Sequence, residues 1–362
     1  MSLTTLDTIF PADAVEFCPH PNALDILVCG TYKLEDALGE QRSMTDDGSA
    51  LSTSAPQHRR GQCLVLQVDQ RDATGPYGFR HVQSIDLPAV LDMKWCYRSL
   101  SASPILGIAD SEGSITLHEW ETEEKNLTQV DSIRAPGTHL GSLVVSLSNG
   151  SLCLLRPSES SSLSLTNSWH AHDYEPWIAA WNYWDTNIIY SGGSIAAVAL
   201  SLTQEGISGG DDLKLKGWDV RQNLSQPIFT NKRFDAGVTS IQSHPHVEHL
   251  IAVGSYDSTV RIFDTRRPLA ALAEVDVGGG AWRVKWHPAE SRQDDLLIAC
   301  MHDGVKIVHL DTGNRRGEVT KHFDSHESMA YGADWSHGPS HEGETIIGSC
   351  SFYDRIFHLW SG

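Results

Sequence analysis

The chain has 362 residues, 40% hydrophobic and 20% charged, so it is too apolar for a disordered protein and long enough for a sizeable core. It carries 46 acidic against 27 basic side chains, a formal net charge of −19. This surplus disfavours nucleic acid and anionic membranes as partners, because both attract cationic surfaces. It favours a basic protein or a cationic ligand instead.

The N-terminus and the cysteines predict a cytoplasmic protein. No lysine or arginine occurs before Lys33, which disfavours a secretory signal or a transit peptide. The longest apolar stretch, residues 195–202, is much shorter than the ~18 residues of a membrane-spanning helix. The seven cysteines include no Cys-x-x-Cys pair, so we expect reduced thiols and neither a structural zinc nor another metal.

The N-terminal half contains groups of short alternating strands, the pattern of antiparallel four-strand units. A strand-like segment at residues 3–10 precedes them. A polar loop at 33–61 interrupts the first group. The third group is short, because about ten residues between Ile133 and Leu143 are too few for an inner strand with its turns. The three groups cover residues 14–88, 89–134 and 138–172.

The C-terminal half repeats more regularly. Each copy has an alternating strand, a tight polar turn with an aspartate and a second alternating strand. A further short strand that ends in tryptophan or His-Pro precedes each copy. The turn aspartates recur at intervals of 45, 46 and 51 residues, at Asp212, Asp257, Asp303 and Asp354. The corresponding units cover 173–234, 235–277, 278–323 and 324–360.

The fourth unit has a surplus segment at residues 194–210. IIYSGG and GISGG both match the end of a second strand, and removing the 17 residues would leave a regular unit, NIIYSGGDDLKLKGWD. We predict an insert with poor order. Its Gly-x-Ser-x-Gly motif, with Ser208 at the centre, is weak evidence for a nucleophile, because a strand follows it where a nucleophile elbow requires a helix.

A period of ~40–45 residues with four strands, a turn aspartate and a closing Trp-Asp resembles the WD-repeat family. The resemblance implies one all-β domain over 1–362, a seven-bladed WD40 β-propeller. The last blade stops at its third strand, so we predict that residues 3–10 supply the fourth and close the ring. In such blades the turn aspartate commonly bonds to a loop histidine, which would make these aspartates structural.

Residues 168–360 contain several short sequence motifs that are distinctive among WD proteins. AHDYEPWIAAWNYW, GGDDLKLKGWDVR, SIQSHPHVEHLIAVGSYD, GGGAWRVKWHP, YGADWS and SCSFYDRIFHLW occur in this order. They resemble the WD-repeat diphthine methylesterase family of the diphthamide pathway, also called diphthine methyltransferase. The resemblance implies a cytosolic hydrolase without a cofactor, which removes the methyl ester from methylated diphthine on elongation factor 2.

One mouth of the propeller channel is the predicted site. In propellers, the loops that lead into the first strands and the turns between the second and third strands share one end. Residues there are unusual for ordinary blades, and the aromatic ones would cage a trimethylammonium group by cation–π attraction. The predicted substrate-binding residues are Glu175, Trp177, Tyr256, Gly279, Trp282, Tyr331 and Tyr353.

Ester hydrolysis also requires a base, a nucleophile or activated water, and donors for the oxyanion. We predict His302 as the base, because imidazole titrates near working pH. Asp211 would orient the base or activate water, and Arg283 or the backbone at 278–280 would stabilise the oxyanion. The competing interpretation is a capping histidine and a partner-binding rim without catalysis.

A non-catalytic scaffold is the alternative function. WDVR, Trp218–Arg221, matches the short WDxR submotif of propellers that dock on cullin-4 ligase adaptors. The motif is short and frequent in WD blades. Both interpretations share the fold, and in both we expect a monomer.

Overall fold

The structure is a computed structural model. It describes residues 3–35, 58–69, 77–96, 103–130, 142–158, 163–193, 212–311, 313–340 and 343–362. These residues form seven antiparallel sheets, each of three to five strands, and two 3₁₀ turns of three residues. No helix in this part of the chain is long and apolar enough to cross a membrane. The all-β, seven-bladed propeller predicted from the repeats is confirmed.

Blades one to three contain the strands that precede residue 171. Those of blade one are β2 (Ala12–Phe17), β3 (Ile26–Thr31), β4 (Lys33–Leu34), β5 (Arg59–Val68) and β6 (Phe79–Pro88). Those of blade two are β7 (Val90–Trp95), β8 (Ile105–Asp110), β9 (Ile115–Glu121) and β10 (Asn126–Gln129). Those of blade three are β11 (Leu143–Ser146), β12 (Ser151–Pro157) and β13 (Leu163–His170).

Blades four to seven follow in order. Blade four holds β14 (Pro176–Trp181), β15 (Ile188–Gly193), β16 (Leu215–Asp219) and β17 (Phe229–Asn231). Blade five holds β18 (Val238–Ser243), β19 (Leu250–Ser255), β20 (Thr259–Asp264) and β21 (Ala271–Asp276). Blade six holds β22 (Arg283–Trp286), β23 (Asp295–Ala299), β24 (Val305–Asp311) and β25 (Arg316–Phe323). Blade seven holds β26 (Ala330–Trp335), β27 (Ile346–Ser351), β28 (Ile356–Ser361) and β1 (Thr4–Asp7).

The N-terminal strand closes the ring as predicted. β1 pairs antiparallel with β28, with Thr4 opposite Leu359 and Asp7 opposite Ile356. The backbone N–H of Thr8 also donates to the carbonyl oxygen of Arg355 at 2.9 Å. The first and last parts of the chain therefore share one sheet, so β28 is not left as an open edge.

The core lies between adjacent blades. The second strand of a blade has neighbouring blades on both faces, so β3 and β27 are apolar and almost fully buried, whereas the outer strand β25 is mostly exposed. Between blades five and six, Val260 packs in one cluster with Val284 and Leu296. The ladders of strand hydrogen bonds run within each sheet. Between blades, side-chain packing is joined by isolated backbone bonds, such as that from the N–H of Ala281 to the carbonyl oxygen of Ser255 at 3.0 Å.

Blade three differs from the others. Its described strands form a three-stranded sheet, β11-β12-β13, and residues 131–141, where an inner strand would fall, lie outside the described residues. The described cluster between blades two and three contains one buried apolar residue, Ile105. The described part of this seam is therefore less well packed than the one between blades five and six.

The structure describes the residues on both sides of the two predicted irregular segments, 33–61 and 194–210. Lys33 and Leu34 pair with Arg60 and Arg59, so both ends of the predicted 33–61 loop are strand. Residues 194–210 follow β15 and precede β16, the second and third strands of blade four. They lie outside the described residues, as do most of the loop, Ser208 and Asp211, so the predicted poor order of the insert stays a prediction.

The turn aspartate of blade four makes the predicted structural bond. The Nδ1 atom of buried His172 lies 3.1 Å from Oδ2 of Asp212, and its Nε2 lies 2.7 Å from Oγ of Ser191. The indole N–H of Trp218 donates to the same Ser191 oxygen at 2.9 Å. Burial lowers the pKa of His172, so a neutral ring links the second and third strands to the loop before β14.

The other turn aspartates have different partners. Asp257 forms an ion pair with Arg261 at 2.8 Å, and Asp303 pairs with Lys306 at 2.5 Å. Asp354 accepts a backbone N–H bond from Glu327 at 3.1 Å. The structural role predicted from the WD resemblance holds for these turns. Asp303 also lies 3.4 Å from Nε2 of His322, but this histidine belongs to strand β25, so the predicted loop histidine occurs at Asp212 alone among these four.

Candidate functional site: an aromatic channel mouth

The residues at the channel mouth come from a repeated backbone feature. In five blades the inner strand begins with a β-bulge, which adds one unpaired residue at its second position. A bulge re-aims a side chain and commonly adjoins functional sites. The extra residues are Asp13, Leu91, Trp177, Thr239 and Tyr331.

Four predicted aromatic residues form a row across blades four to seven. The ring of Trp177 lies 6.3 Å from that of Tyr256 and 5.4 Å from that of Trp282, between centroids. Trp282 lies 5.2 Å from Tyr331 on its other side. These separations are typical of interacting aromatic pairs. The two kinds of loop therefore share one mouth, as the sequence analysis assumed.

The row continues through residues that the sequence analysis missed. Phe352 packs edge-on against Tyr331 at 5.6 Å and against the exposed ring of Tyr353 at 5.1 Å. Tyr32, in blade one, lies 6.1 Å from Phe352. Phe352 sits beside the turn residue Tyr353, and this adjacency was the only sequence signal for it. Burial raises the pKa of Tyr331 to about 12, so its phenol is neutral at physiological pH.

Arg283 follows Trp282 of this row directly in the chain and begins β22, and its side chain is held from the far side of the channel. Its Nη2 atom is 3.3 Å from Oδ1 of Asp92, which belongs to blade two, 191 residues earlier in the chain. The arginine side chain is 15% exposed, so the guanidinium is largely withdrawn from bulk water. The predicted oxyanion donor therefore has a fixed position, set by a residue that the sequence analysis did not identify.

Asp13 is the other ionisable group that the sequence analysis missed. Burial raises the pKa of its carboxyl well above the usual range, although the charge of Arg283 opposes the shift. Its Oδ1 atom is buried and has no hydrogen-bond partner among the described residues. The signal was positional, because Asp13 occupies in blade one the place that Trp177 occupies in blade four.

Deeper in the channel, a chain of ion pairs connects blades one, two, six and seven. Lys94 Nζ lies 3.1 Å from Asp92 and 2.5 Å from Glu16 Oε1. Lys285 Nζ lies 2.8 Å from the same Glu16 oxygen and 3.5 Å from Asp334. Burial opposes the ionisation of Glu16, yet the two lysines outweigh it and lower its pKa. This network fixes the inner strands that carry Arg283 and Asp92.

The structure does not bring His302 into the aromatic row. Its side chain is exposed, and among the described residues no hydrogen bond or ring contact orients it. Glu175 is likewise exposed at the mouth. Asp211 lies outside the described residues. The predicted base therefore has no described group that fixes its orientation.

The glycines at 278–280 have a packing reason. A Cβ on Gly279 would lie 2.1 Å from the carbonyl oxygen of Cys300, and one on Gly278 would lie 2.2 Å from Oδ2 of Asp303. Gly278 also has φ of +79°, which favours glycine. The loop at 278–280 thus packs directly against the turn between the second and third strands of the same blade. The N–H groups of Gly279 and Gly280 donate no hydrogen bond among the described residues.

Other predicted features lie away from the mouth. Arg221 of the WDVR motif donates to both carboxylate oxygens of Asp219 at 2.8 Å, and its side chain is 55% exposed. His244 and His246 bond to the carbonyl oxygens of Gln293 and Pro288. Within the described ranges, no group of three or more His, Cys, Asp or Glu side chains forms a metal-binding cluster.

The fold defines a WD-repeat propeller. It has seven blades, aspartates in the turns of the last four, and an N-terminal strand that completes the last blade. No protein-family model matches the chain. It is 38% identical to a mouse diphthine methyltransferase, over 92% of this chain and 69% of the relative. It is 36% identical to the human protein of that name (92% and 74%) and 32% identical to a Dictyostelium discoideum homolog (97% and 96%). The chain belongs to the diphthine methyltransferase family.

A solved structure supports the fold independently. A chain in a crystal structure of the mitotic checkpoint complex superimposes with a TM-score of 0.63, covering 100% of this chain and 94% of its own. It is 13% identical in sequence, so the likeness concerns the propeller alone.

Proposed function

We propose that the protein is a methylesterase of diphthamide biosynthesis, which hydrolyses the methyl ester of methylated diphthine on elongation factor 2. The observation that carries the proposal is the aromatic row at the mouth, next to the fixed guanidinium of Arg283. The names of the relatives support diphthine chemistry. We expect a cytoplasmic monomer that needs no cofactor.

The aromatic row suits the cationic part of this substrate. Methylated diphthine carries a trimethylammonium group, which hydrogen bonds cannot hold but the faces of aromatic rings can. Trp177, Trp282 and Tyr331 are all partly exposed at the mouth, and each contact would contribute about 0.5–2 kcal/mol. The net charge of −19 adds a long-range attraction for the modified histidine and its basic surroundings.

The reaction requires stabilisation of an oxyanion and transfer of a proton. Water forms a bond to the ester carbonyl carbon, and the carbonyl oxygen becomes an oxyanion. The bond to the methoxy oxygen then breaks and methanol leaves with one proton of the water. The acid that forms releases the other proton and becomes a carboxylate. In this proposal Arg283 binds the oxyanion, and the unpaired N–H groups of Gly279 and Gly280 are further donors. The sequence predicts His302 as the base with Asp211 as its partner, but His302 is exposed and no described group orients it, so the identity of the base is a separate question.

The decisive experiment uses purified chain and elongation factor 2 that carries methylated diphthine. After incubation in oxygen-18 water, mass spectrometry of the modified peptide should find a free carboxyl with one oxygen-18 atom, and methanol should accumulate. Trp282→Ala should bind the factor more weakly. The matched control is Trp184→Ala, because Trp184 is 48% exposed and outside the row.

Two results would overturn the proposal. One is retention of the methyl ester although the chain binds the factor. The other is loss of the methyl group without oxygen-18 in the carboxyl, because the methyl carbon, rather than the carbonyl carbon, would then have been attacked, by water or by another acceptor.

A second candidate function is docking on a cullin-4 ligase adaptor through the WDVR motif. The exposed guanidinium of Arg221, held rigid by Asp219, favours this candidate. Co-precipitation with the adaptor should then be lost in Arg221→Glu and retained in Arg266→Glu. Arg266 is a suitable control because it pairs with Asp264 in the same way, at 2.7 Å, in the next blade.

A further inference from the structure

The backbone delivers Asp13 to the mouth in the same way as two residues of the aromatic row. Its bulge lies between Ala12 and Ala14, like the bulges that present Trp177 in blade four and Tyr331 in blade seven. The residues that follow Tyr331 and Asp13 are in contact, since a Cβ on Gly332 would lie 3.0 Å from the carbonyl carbon of Ala14, so Asp13 is near the row. Asp13 is thus the acidic residue among the five bulge residues.

The Asp13 carboxyl is not explained by the structural ion pairs. Arg283 has Asp92 as its contact partner at 3.3 Å, and the lysines of the channel contact Glu16, Asp92 and Asp334. The Oδ1 atom of Asp13 is buried without a hydrogen-bond partner in the described part of the chain. A buried, unsatisfied carboxyl oxygen destabilises a fold and requires an explanation.

We propose that Asp13 is the catalytic base of the ester hydrolysis, an inference that rests on the proposed function. Its carboxylate takes a proton from water while the water oxygen bonds to the ester carbonyl carbon. The carbonyl oxygen becomes an oxyanion beside Arg283. When the bond to the methoxy oxygen breaks, Asp13 returns the proton and methanol leaves. The acid that forms ionises, releasing one proton to solvent.

The charged and titratable groups around Asp13 suit this role. Arg283 and Asp92 face it from blades six and two, Tyr331 from blade seven and Cys29 from β3 of its own blade. Burial raises the pKa of Tyr331, and a hydrogen bond with Cys350 together with burial raises that of Cys29, so both are neutral near pH 7. Burial also raises the pKa of Asp13, which makes its carboxylate a stronger base than an exposed aspartate.

The test compares Asp13→Asn with wild type and with Asp86→Asn in the demethylation assay. Asp86 is an exposed aspartate on the outer strand of the same blade, so its variant makes the same chemical change away from the channel. Asp13→Asn should lower kcat by about 10²–10⁴-fold with little change in KM. Its melting temperature should not fall, because a neutral amide suits a site that disfavours charge.

The pH dependence provides a second readout. For wild type, kcat/KM should rise with pH as Asp13 ionises, and Asp13→Asn should lack this limb. The inference is overturned if Asp13→Asn keeps wild-type kcat. It is also overturned if the variant changes KM alone, because Asp13 would then be only a counter-charge for the ammonium group. A third contrary result is that His302→Ala, rather than Asp13→Asn, removes the rise of kcat/KM with pH. If wild type itself leaves the ester intact, the proposed function fails rather than this assignment.

Discussion

Acidification should destabilise this propeller well above the pH at which carboxylates titrate. His287 illustrates the reason. Its ring is 1% exposed, its Nε2 lies 2.8 Å from Oγ1 of Thr345 and its Nδ1 accepts the backbone N–H of Ala289 at 3.0 Å. A second ring proton would point at that N–H group. Burial, and then the charge of Arg292, lower the pKa of His287 to about 4.

The size of the effect follows from proton linkage. A histidine in the unfolded chain has a pKa of about 6.5, so at pH 5 its proton stabilises the unfolded state by about 2 kcal/mol if the folded ring stays neutral. Burial also lowers the pKa of His326 to about 3 and that of His337 to about 4, giving about 6 kcal/mol for the three.

Two carboxyls act in the opposite direction. Burial raises the pKa of Asp334 to about 6, so the folded state gains a proton there and recovers about 1 kcal/mol at pH 5. Asp13 acts in the same sense. The three histidines have folded-state pKa values below 6.5, so the unfolded state binds more protons at these sites. The free energy of unfolding should therefore fall as pH drops from about 6.5 towards 4.

The assay is urea unfolding at pH 7.5, 6 and 5, followed by tryptophan fluorescence. Wild type should lose several kcal/mol of unfolding free energy between pH 7.5 and 5. His287→Gln should be less stable at pH 7.5 but lose about 2 kcal/mol less on acidification. An unfolding free energy that is flat from pH 7.5 to 5, or an unchanged slope in the variant, would refute the assignment of neutral buried histidines.

Three further outcomes are expected. His172→Ala should lower the unfolding free energy by about 3 kcal/mol, because it removes the histidine bonds that link buried Asp212 to Ser191, yet spare ester hydrolysis in the surviving fold. A change confined to activity would contradict this. Trp282→Ala should weaken binding of tetramethylammonium by about 2–30-fold in calorimetry, and Trp184→Ala should leave it unchanged. Equal affinities of Trp282→Ala and wild type for tetramethylammonium would argue against the aromatic cage. Deletion of residues 1–9 should lower the melting temperature and increase light scattering, since β28 then becomes an open edge. An unchanged melting temperature would show that closure of the ring by β1 adds no stability.

The amino-acid sequence determined the blades, their number and the strand that closes the ring. Each blade is a local meander, so its alternating strands and its turn aspartate recur at a spacing that is visible in the chain. The aromatic residues of the mouth were equally accessible, because Trp177, Trp282 and Tyr331 stand at matching positions of units four, six and seven. The same rule applied to blade one would have identified Asp13.

The tertiary structure decided which of these residues act together. Arg283 is fixed by Asp92 across the channel, and Phe352 links Tyr331 to Tyr32 between the last blade and the first. His302, prominent in the sequence, has no described partner that orients it. The reason is physical: a repeat specifies each blade through contacts between neighbouring residues, whereas the channel site forms only when seven blades close and distant inner strands face one another.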